Sequence, residues 1–351
     1  MDQSISRIID EAIANQTFPG AVVGYLKDDK KQLLAFGHHS YAQGSPKVQE
    51  NTTYDVASIT KSIPTSSLIL WLIDQSKLSL DTLVSDLLPE MQGAYRGQLN
   101  IWHLLTYTAV FDLNGRGLSD YARKGVSKLF EVIYAGKLSS PPGSAYFYTN
   151  TPAILLGVIA ERVFGKSLNI AANEVFFEPL NMGQTTLTPD LFPAFDFAPT
   201  EVDSWRGKLQ AQVHDESAWT LAQAGRCAGN AGLFSTASDL LTFARMLVNN
   251  GSDADKRYFS DSMLEKMHTN QIAKLGLSTG LGWELNQETY MGKYAASLFG
   301  KTGFTGCVIL IHPRLKRAMV VLSNYTYPKR KPDKVAINKV RSSLADIVFA
   351  P

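Results

Sequence analysis

Cysteine is scarce in this chain. Its 351 residues include two cysteines, Cys227 and Cys307, which lie far apart. Two isolated thiols cannot form the disulfide framework of a small secreted domain, and they lack the close ligand spacing of a zinc site. The adjacent pair His38 and His39 would point to opposite faces of a strand, so it is no ligand pair either. We expect no metal and no cofactor.

An excess of one charge is also missing. The chain has 34 Lys and Arg against 32 Asp and Glu, a formal net charge of +2. A nucleic-acid-binding surface would need a strong basic excess or stripe, so we expect no nucleic-acid partner. The short basic run Lys329 to Lys331 lies in a proline-containing turn. We interpret this run as a solvated loop.

Long apolar runs are absent, so no segment is suited to span a membrane. The first residues, MDQSISRIIDEAIANQTFPG, lack the basic start and continuous apolar stretch of a signal peptide. These patterns predict a protein without membrane partners and with a cytoplasmic location. A periplasmic location stays open if a leader precedes the printed residues. The sequence does not indicate an oligomeric state.

The segments that are present indicate strands at both ends and helices between them. Apolar residues make up 45% of the chain, which is enough for a sizeable core. An amphipathic N-terminal helix is predicted from the spacing of Ile5, Ile8, Ile9, Ala12 and Ile13. Short apolar strands are predicted at 21–28, 32–40, 297–303, 307–313 and 318–325. A final helix over 334–349 is predicted from Val335, Ile337, Val340, Leu344 and Ile347.

Sequential strands joined by tight turns pair antiparallel. The predicted fold class is therefore α+β: one antiparallel sheet from both chain termini, flanked by the terminal helices, with a large, mostly helical insertion. Residues 1–57 and 275–351 form the predicted sheet domain, and residues 58–274 form the predicted helical domain. A small-molecule site is expected in the cleft between the two domains.

Ser58 and Lys61, in YDVASITKS, form the first candidate catalytic pair. Residues i and i+3 of a helix share a face, so the lysine amine can reach the serine hydroxyl. The start of a helix also offers free N–H groups that could hold an oxyanion. Lysine serves as a base only when burial or neighbouring positive charge lowers its pKa. Taken alone, the pair is better explained as a helix-capping serine and a surface lysine.

Two further motifs follow in the chain. Tyr148-Thr149-Asn150 precedes an apolar helix, where Tyr148 could act as a base and Asn150 as a donor to a substrate amide, or Asn150 could simply cap that helix. Lys301-Thr302-Gly303 ends a predicted strand, and its glycine would let backbone approach a ligand. The alternative for this second motif is a strand edge with a surface lysine.

Together, the Ser-x-x-Lys, Tyr-x-Asn and Lys-Thr-Gly motifs resemble the serine β-lactamase and penicillin-binding-protein superfamily, in particular its class C β-lactamase-related branch. That branch includes esterases and D-aminopeptidases. The likeness covers most of the chain, through segments such as YFYTNTPAILLGVIAERVFGKSL, AGNAGLFSTASDLLTFARML and GKTGFTG. The family's fold agrees with the fold predicted from the strands and helices.

The resemblance implies a role for each matching position. Ser58 would be the nucleophile that forms an acyl-enzyme, and Lys61 and Tyr148 would share the acid and base work. Lys301, with Thr302 and Gly303, would keep the site positive and either favour tyrosinate or bind a substrate carboxylate. Asn150 would contact the acyl side chain. The backbone N–H groups of Ser58 and Phe304 would form the oxyanion hole.

Two segments depart from the family pattern. Tyr107-Thr108-Ala109-Val110 lacks the glycine that many relatives have in this loop. Pro64 removes a helical N–H close to the nucleophile and is expected to kink its helix. The shape of the pocket is expected to depend on the loops at 107–120 and 189–216.

The sequence therefore predicts a serine hydrolase acting on a small molecule or short peptide: a small ester, a D-amino-acid peptide or a β-lactam. A non-catalytic binding module on the same fold is the alternative from another class. A triad that uses Ser58 and His214 is a minor alternative, because we expect His214 to be structural. His103 is expected to pack or cap a helix.

Overall fold

The structure is a computed structural model that describes all residues from 1 to 351. Its strands are β1 (Gly20–Lys27), β2 (Lys30–Gly37), β3 (Tyr54–Asp55), β4 (Glu201–Asp203), β5 (Gly207–Leu209), β6 (Phe234–Ser235), β7 (Ser252–Asp253), β8 (Lys256–Arg257), β9 (Glu284–Leu285), β10 (Phe299–Thr302), β11 (Val308–His312) and β12 (Arg317–Ser323).

The helices are spread along the whole chain. The α-helices are α1 (Asp2–Ala14), α2 (Ser67–Asp74), α3 (Val84–Leu87), α4 (Ile101–Leu105), α5 (Leu118–Ala122), α6 (Val126–Tyr134), α7 (Thr151–Phe164), α8 (Leu168–Ala172), α9 (Glu216–Gln223), α10 (Ala237–Val248), α11 (Asp261–His268), α12 (Glu288–Met291) and α13 (Val335–Val348). Short 3-10 helices span Ala57–Lys61, Pro189–Leu191, Ala273–Leu275 and Gly292–Ser297. π-Helical turns span Ser62–Ser66 and Asn173–Phe177.

A six-stranded sheet in the order β2-β1-β12-β11-β10-β9 is the centre of the fold. All its neighbouring strands are antiparallel, and β12 joins the N-terminal hairpin to the C-terminal strands. The hairpin turns at Asp28 and Asp29, whose φ angles of 52° and 58° suit the tight turn between twisted strands. The predicted α+β fold is confirmed: both chain termini build one antiparallel sheet.

The two faces of this sheet belong to two separate hydrophobic cores. Val23 and Val321 pack with residues of α1 and α13 in a core of 22 buried residues. Val22 and Val320 face the other way, into a core of 71 buried residues that includes the apolar side of α10. Successive side chains of a strand alternate between faces, so these continuous apolar strands are buried on both sides. The two terminal helices cover one face, as predicted.

The predicted apolar face of α13 is wrong at one residue, Val335. Val335 is 73% exposed, whereas the buried residues of this helix are Ile337, Val340, Arg341, Leu344, Ala345 and Val348. At about 100° per residue, a position two residues before Ile337 lies on the opposite side of the helix. Val335 therefore points away from the core.

The middle of the chain is mostly helical, but it does not all lie apart from the sheet. Helix α10 packs against β1 and β12, although it falls within the predicted insertion. The division into domains at residues 57 and 275 stays a prediction. Every helix is too short or too polar to cross a membrane.

Candidate active site

Ser58 lies on a strained turn. It is the second residue of a 3-10 helix, Ala57–Lys61, and does not open an α-helix as its spacing predicted. Ala57 has a φ of 47°, in the left-handed region that is costly for a residue with a Cβ. Asp55 stabilises this conformation because its Oδ1 accepts the Ala57 N–H at 2.8 Å. Ser58 thus sits at the very start of a helix, where N–H groups lack intrahelical partners.

The helix is interrupted where Pro64 predicts it. Ile63 has non-helical angles, φ −121° and ψ 111°, inside the π-helical turn. Proline disfavours the helical conformation of the residue before it, which accounts for the break. The regular helix α2 begins only at Ser67. The turn Ala57–Lys61, which we call the nucleophile turn after the predicted role of Ser58, is therefore a separate short unit before α2.

Ser58 and Lys61 are in direct contact. The Lys61 Nζ donates to Ser58 Oγ at 2.8 Å and to the Asn230 carbonyl at 2.9 Å. Lys61 is fully buried. Burial lowers the pKa of its amine to about 7; Asp215 opposes this shift and Lys301 adds to it. A large fraction of this lysine is therefore neutral near pH 7, as a general base requires.

Tyr148 closes the other side of the serine. It lines the same opening as Ser58, and burial and the Glu284 carboxylate raise its pKa well above the usual value, while Ser58 acts in the opposite direction. The Nζ atoms of Lys301 and Lys61 lie 4.2 Å and 5.4 Å from its ring centroid. The direction of this pKa shift favours a neutral phenol at Tyr148 over the expected tyrosinate, because burial and the nearby carboxylate both oppose the charged form.

Glu284 was not found in the sequence, and it explains the behaviour of Lys301. Its Oε1 accepts from Lys301 Nζ at 2.7 Å, and its other oxygen accepts from the Tyr290 hydroxyl. Lys301 is fully buried, and the carboxylate neutralises its charge. An ammonium already paired in this way is poorly placed to bind a substrate carboxylate. The sequence analysis missed Glu284 because this residue lies on the two-residue strand β9. There it is the cross-strand neighbour of Gly300 on β10.

Asn150 belongs to a polar wall beside the serine. It begins α7 without capping it through its side chain, and its Nδ2 donates to Asp215 Oδ2 at 2.9 Å. Asn230 Nδ2 donates to the other carboxylate oxygen at 3.0 Å. Asp215 also caps α9 through the Ala218 N–H. The carboxylate therefore holds both asparagines in fixed positions.

The Lys-Thr-Gly strand touches the nucleophile turn through its glycine. A Cβ on Gly303 would lie 2.3 Å from the Val56 carbonyl oxygen, so only glycine fits. Thr302 and Phe304, on either side of Gly303, line the same opening as Ser58. The Phe304 N–H has no hydrogen-bond acceptor in the chain. It is thus free to hold an oxyanion together with the Ser58 N–H.

These residues line one opening, which we call the Ser58 cleft. It has a volume of about 260 Å³ and is lined by Ala57, Ser58, Tyr148, Asn150, His214, Asp215, Glu216, Ala231, Thr302, Phe304, Arg330 and Lys334. Six of the eight predicted site residues lie in or next to it: Ser58, Lys61, Tyr148, Asn150, Thr302 and Phe304. Lys301 and Gly303 are buried and do not line the cleft. Of the two loops expected to shape it, only 189–216 contributes directly.

Arg330 corrects the interpretation of the basic run as a solvated loop. Its side chain is 34% exposed and lines the Ser58 cleft. Its guanidinium donates to Glu201 at 2.8 Å and pairs with Glu216 at 2.7 Å. Two carboxylates from a distant segment hold it there, which a charge run in the sequence does not reveal. Lys334, also in the cleft, was missed for the same reason.

The two singled-out histidines have structural partners. His214 is buried, its Nε2 lies 2.7 Å from Glu201, and its backbone N–H donates to Asp55. No hydrogen bond joins it to Ser58, whose partner is Lys61. His103 forms a capping box with Asn100 at the start of α4, as expected. The Ser58–His214 triad is not formed.

The departure in the loop Tyr107–Val110 does not need its missing glycine. That glycine would stand at Val110, which has no positive φ, whereas Tyr107 adopts a left-handed φ of 56°. Its buried ring packs against Tyr148, with 4.9 Å between centroids. The loop therefore keeps a tight turn and supports the tyrosine.

Comparison with known proteins identifies the family of this chain. The model of the β-lactamase family matches residues 5–341. The chain belongs to the β-lactamase family. It is accordingly a serine hydrolase of that family. Its similarity to curated proteins extends over nearly all of its length.

One such relative, from Escherichia coli O157:H7, is named as a candidate D-alanyl-D-alanine carboxypeptidase. It is 28% identical over 376 aligned positions, which cover 95% of this chain and 84% of the relative. A protein of Salmonella enteritidis with the same name is also 28% identical, over 96% of this chain and 86% of its own. These names describe the relatives and not this chain.

Solved structures show the same fold. The octameric penicillin-binding protein homologue from Pyrococcus abyssi superposes with a TM-score of 0.76 at 22% identity, covering 97% of this chain and 77% of its own. A β-lactamase/D-alanine carboxypeptidase from Pseudomonas syringae gives 0.75 at 18% identity, covering 100% and 99%. The simvastatin synthase of Aspergillus terreus gives 0.75 at 18% identity, covering 99% and 98%. At these identities the likeness concerns the fold alone.

Proposed function

We propose that this chain hydrolyses an amide or ester through an acyl-enzyme on Ser58. The observation that carries the proposal is the 2.8 Å contact between Ser58 Oγ and the amine of Lys61, whose pKa is lowered to about 7. A neutral amine in hydrogen-bond contact with a hydroxyl is the arrangement of a nucleophile and its base. The nearby phenol and free N–H supply the remaining groups.

In the first step, Ser58 Oγ bonds to the substrate carbonyl carbon, and its proton passes to Lys61. The Ser58 and Phe304 N–H groups stabilise the oxyanion. Collapse of this intermediate breaks the bond to the leaving group, which takes a proton from the neutral phenol of Tyr148. The proton on Lys61 then passes to Tyr148, which becomes a neutral phenol again. Attack by water then releases the acid by the same steps in reverse order.

The proposed substrate is a short acyl peptide that ends in a D-amino acid, or a small ester of comparable shape. Lys334, at the open rim, suits a terminal carboxylate better than Lys301 or Arg330, because Lys301 is already paired with Glu284 and Arg330 with Glu201 and Glu216. The names of the curated relatives point to the same class. Simple esters are convenient probes because they need no carboxylate.

The test is intact-protein mass after rapid mixing with a short-acyl nitrophenyl ester, an acyl-D-alanyl-D-alanine peptide and a penicillin, each with Ser58→Ala as control. We expect a transient adduct on the wild-type protein and none on the variant. A persistent penicillin adduct would identify β-lactam recognition with slow deacylation. If no substrate gave a Ser58-dependent adduct or product, the hydrolase proposal would fail and the non-catalytic module would take its place.

A further inference from the structure

A second, larger opening lies beside the helices α7 and α9, and we call it the Trp219 cavity. Its volume is about 930 Å³, against about 260 Å³ for the Ser58 cleft. It is lined by the second half of α7, by the residues that follow α7 up to Asn169, by the segments 187–190 and 211–213, and by α9. No residue lines both openings, so this cavity is separate from the site described above.

One stretch of chain separates the two openings. Residues 211–213 line the Trp219 cavity, the next three line the Ser58 cleft, and Trp219, Ala222 and Gln223 line the cavity again. The three that line the cleft are His214, Asp215 and Glu216. We call residues 211–223 the shared wall. A molecule bound in the cavity therefore contacts the same segment whose other side forms the cleft.

Two contacts connect Trp219 to the Ser58 cleft. The buried guanidinium of Arg206 lies 5.9 Å from a Trp219 ring centroid and donates to the carbonyl of His214 at 2.7 Å. The backbone N–H of Trp219 donates to the carbonyl of Asp215 at 2.8 Å, and the carboxylate of that residue fixes the two asparagines beside Ser58. A movement of Trp219 is therefore passed to two residues that line the cleft.

The charges that line the Trp219 cavity leave no free cation. Its three basic side chains are each paired with a carboxylate: Arg162 with Glu90 at 2.6 Å, Lys166 with Glu174 at 2.7 Å and Arg226 with Glu161 at 3.3 Å. Asp190, the other lining carboxylate, is exposed to solvent. Burial raises the pKa of the Cys227 thiol to about 12, so this group is neutral too. Because burying a charge is costly unless it is paired, the cavity favours an uncharged ligand.

The remaining lining combines carboxamides with an apolar surface. Asn169, Gln212 and Gln223 each offer both donors and an acceptor. The indole N–H of Trp219 reaches Gln212 Oε1 only at 3.5 Å, a contact that a ligand can replace. The apolar part comes from Val158, Leu187, Val213 and the Trp219 ring. Amide groups of a ligand pair with carboxamides in both directions, and its apolar body gains free energy on burial.

We propose that the Trp219 cavity is an effector site for an uncharged small molecule that carries amide groups on an apolar body. Its occupancy changes turnover in the Ser58 cleft through the shared wall. Binding in the cavity does not depend on the proposed hydrolase, whereas the effect on turnover rests on it. An effector acts only by binding one position of the wall more tightly than another, and Trp219 is the residue through which it does so.

Binding is measured with three matched probes at pH 6: the uncharged N-acetylphenylalaninamide, its anionic analogue N-acetylphenylalanine and its cationic analogue phenylalaninamide. The readout is the indole N–H signal of Trp219 in the two-dimensional NMR spectrum, which Trp219→Phe identifies among the five tryptophans. We expect the uncharged probe to shift this signal saturably, with an affinity at least about tenfold higher than that of either charged probe. A signal that stayed fixed, or one that responded equally to the charged probes, would overturn the assignment.

A cavity-filling variant tests the place of binding. Ala222 lines the cavity from an exposed position of α9, so Ala222→Phe should weaken binding of the uncharged probe by at least about tenfold. Ala224→Phe is the matched control, because Ala224 is also exposed, follows α9 directly and does not line the cavity. It should keep the wild-type affinity. Gln212→Ala needs no inserted side chain and should weaken binding several-fold. Unchanged affinity in both Ala222→Phe and Gln212→Ala would place the probe elsewhere and refute the site.

The effect on the Ser58 cleft is measured as kcat and KM for a nitrophenyl ester at increasing concentrations of the uncharged probe. We expect kcat to change by about fivefold, with the half-saturation concentration found by NMR, and to ignore the probe in Ala222→Phe. An unchanged kcat with a filled cavity, or a rise in KM alone that persists in Ala222→Phe, would refute the effector role. If no ester were cleaved in a Ser58-dependent way, the proposed function would fail while the binding result would stand.

Discussion

At the scale of single residues, the base is assigned by burial. Lys61 contacts Ser58, and Tyr148 lines the same cleft, but burial lowers the pKa of the lysine and raises that of the tyrosine. It favours the uncharged form of each, which makes the amine a base and leaves the phenol protonated. In the proposed mechanism, Lys61 therefore accepts the serine proton, and Tyr148 delivers one to the leaving group.

The pH dependence of ester hydrolysis follows from this assignment. Lys61 acts when neutral, and its pKa is about 7, so kcat/KM should rise with pH and level off above this value. About tenfold should be lost for each pH unit below it. Lys61→Arg should abolish turnover, because a guanidinium keeps its proton. A pH-rate profile that is flat from pH 5.5 to 8.5 would contradict Lys61 as the base.

Glu284 gives a prediction about the charge of the site. In Glu284→Gln the partner of Lys301 loses its charge, and the site gains one net positive charge. The pKa of Lys61 should then fall further, since Glu284 raises it and Lys301 lowers it. The midpoint of the pH-rate profile should move to lower pH.

Glu288→Gln is the matched control, because it removes the same charge from an exposed position on α12. It should leave the midpoint in place. An unchanged midpoint in Glu284→Gln would contradict the electrostatic effect of Glu284 and Lys301 on the pKa of Lys61.

At the scale of elements, the site depends on one close contact between β10 and the nucleophile turn. Gly303→Ala would place a Cβ 2.3 Å from the Val56 carbonyl, which forces the strand away from Ser58. Displacements of about 1 Å can cost about a hundredfold in rate, so we expect kcat to fall at least tenfold. Gly183→Ala, whose Cβ meets open space, should change neither kcat nor thermal stability.

The elements also show which residues of the site could be predicted from the sequence. The motifs of Ser58, Tyr148 and Lys301 are local, so they could be read from neighbouring letters. Glu284 and Arg330 act through partners on distant segments. Their positions depend on the register of a two-residue strand and on an ion pair across a loop. Neither of these has a periodicity or a spacing that a sequence displays.

At the scale of the whole molecule, each face of the sheet has its own core, and the smaller core depends on the terminal helices. Ile9 of α1 is fully buried in it. Ile9→Ala should lower the free energy of unfolding by about 2–5 kcal/mol, measured by denaturant titration. Ile170→Ala, at a position 43% exposed, should cost less than about 0.5–1 kcal/mol. Equal losses would contradict the role of α1 in this core.

The position of β12 has a consequence for how the protein is made. This strand lies between the N-terminal hairpin and the strands β11, β10 and β9, yet it is synthesised long after the hairpin. A nascent chain leaving the ribosome therefore carries its hairpin for most of translation without the partner that completes the sheet. The nucleophile turn packs against β10, which is also synthesised long after it. Chains truncated before β10 would thus contain Ser58 in an unassembled site, and the proposed activity would arise only after β10 and β12 have been synthesised.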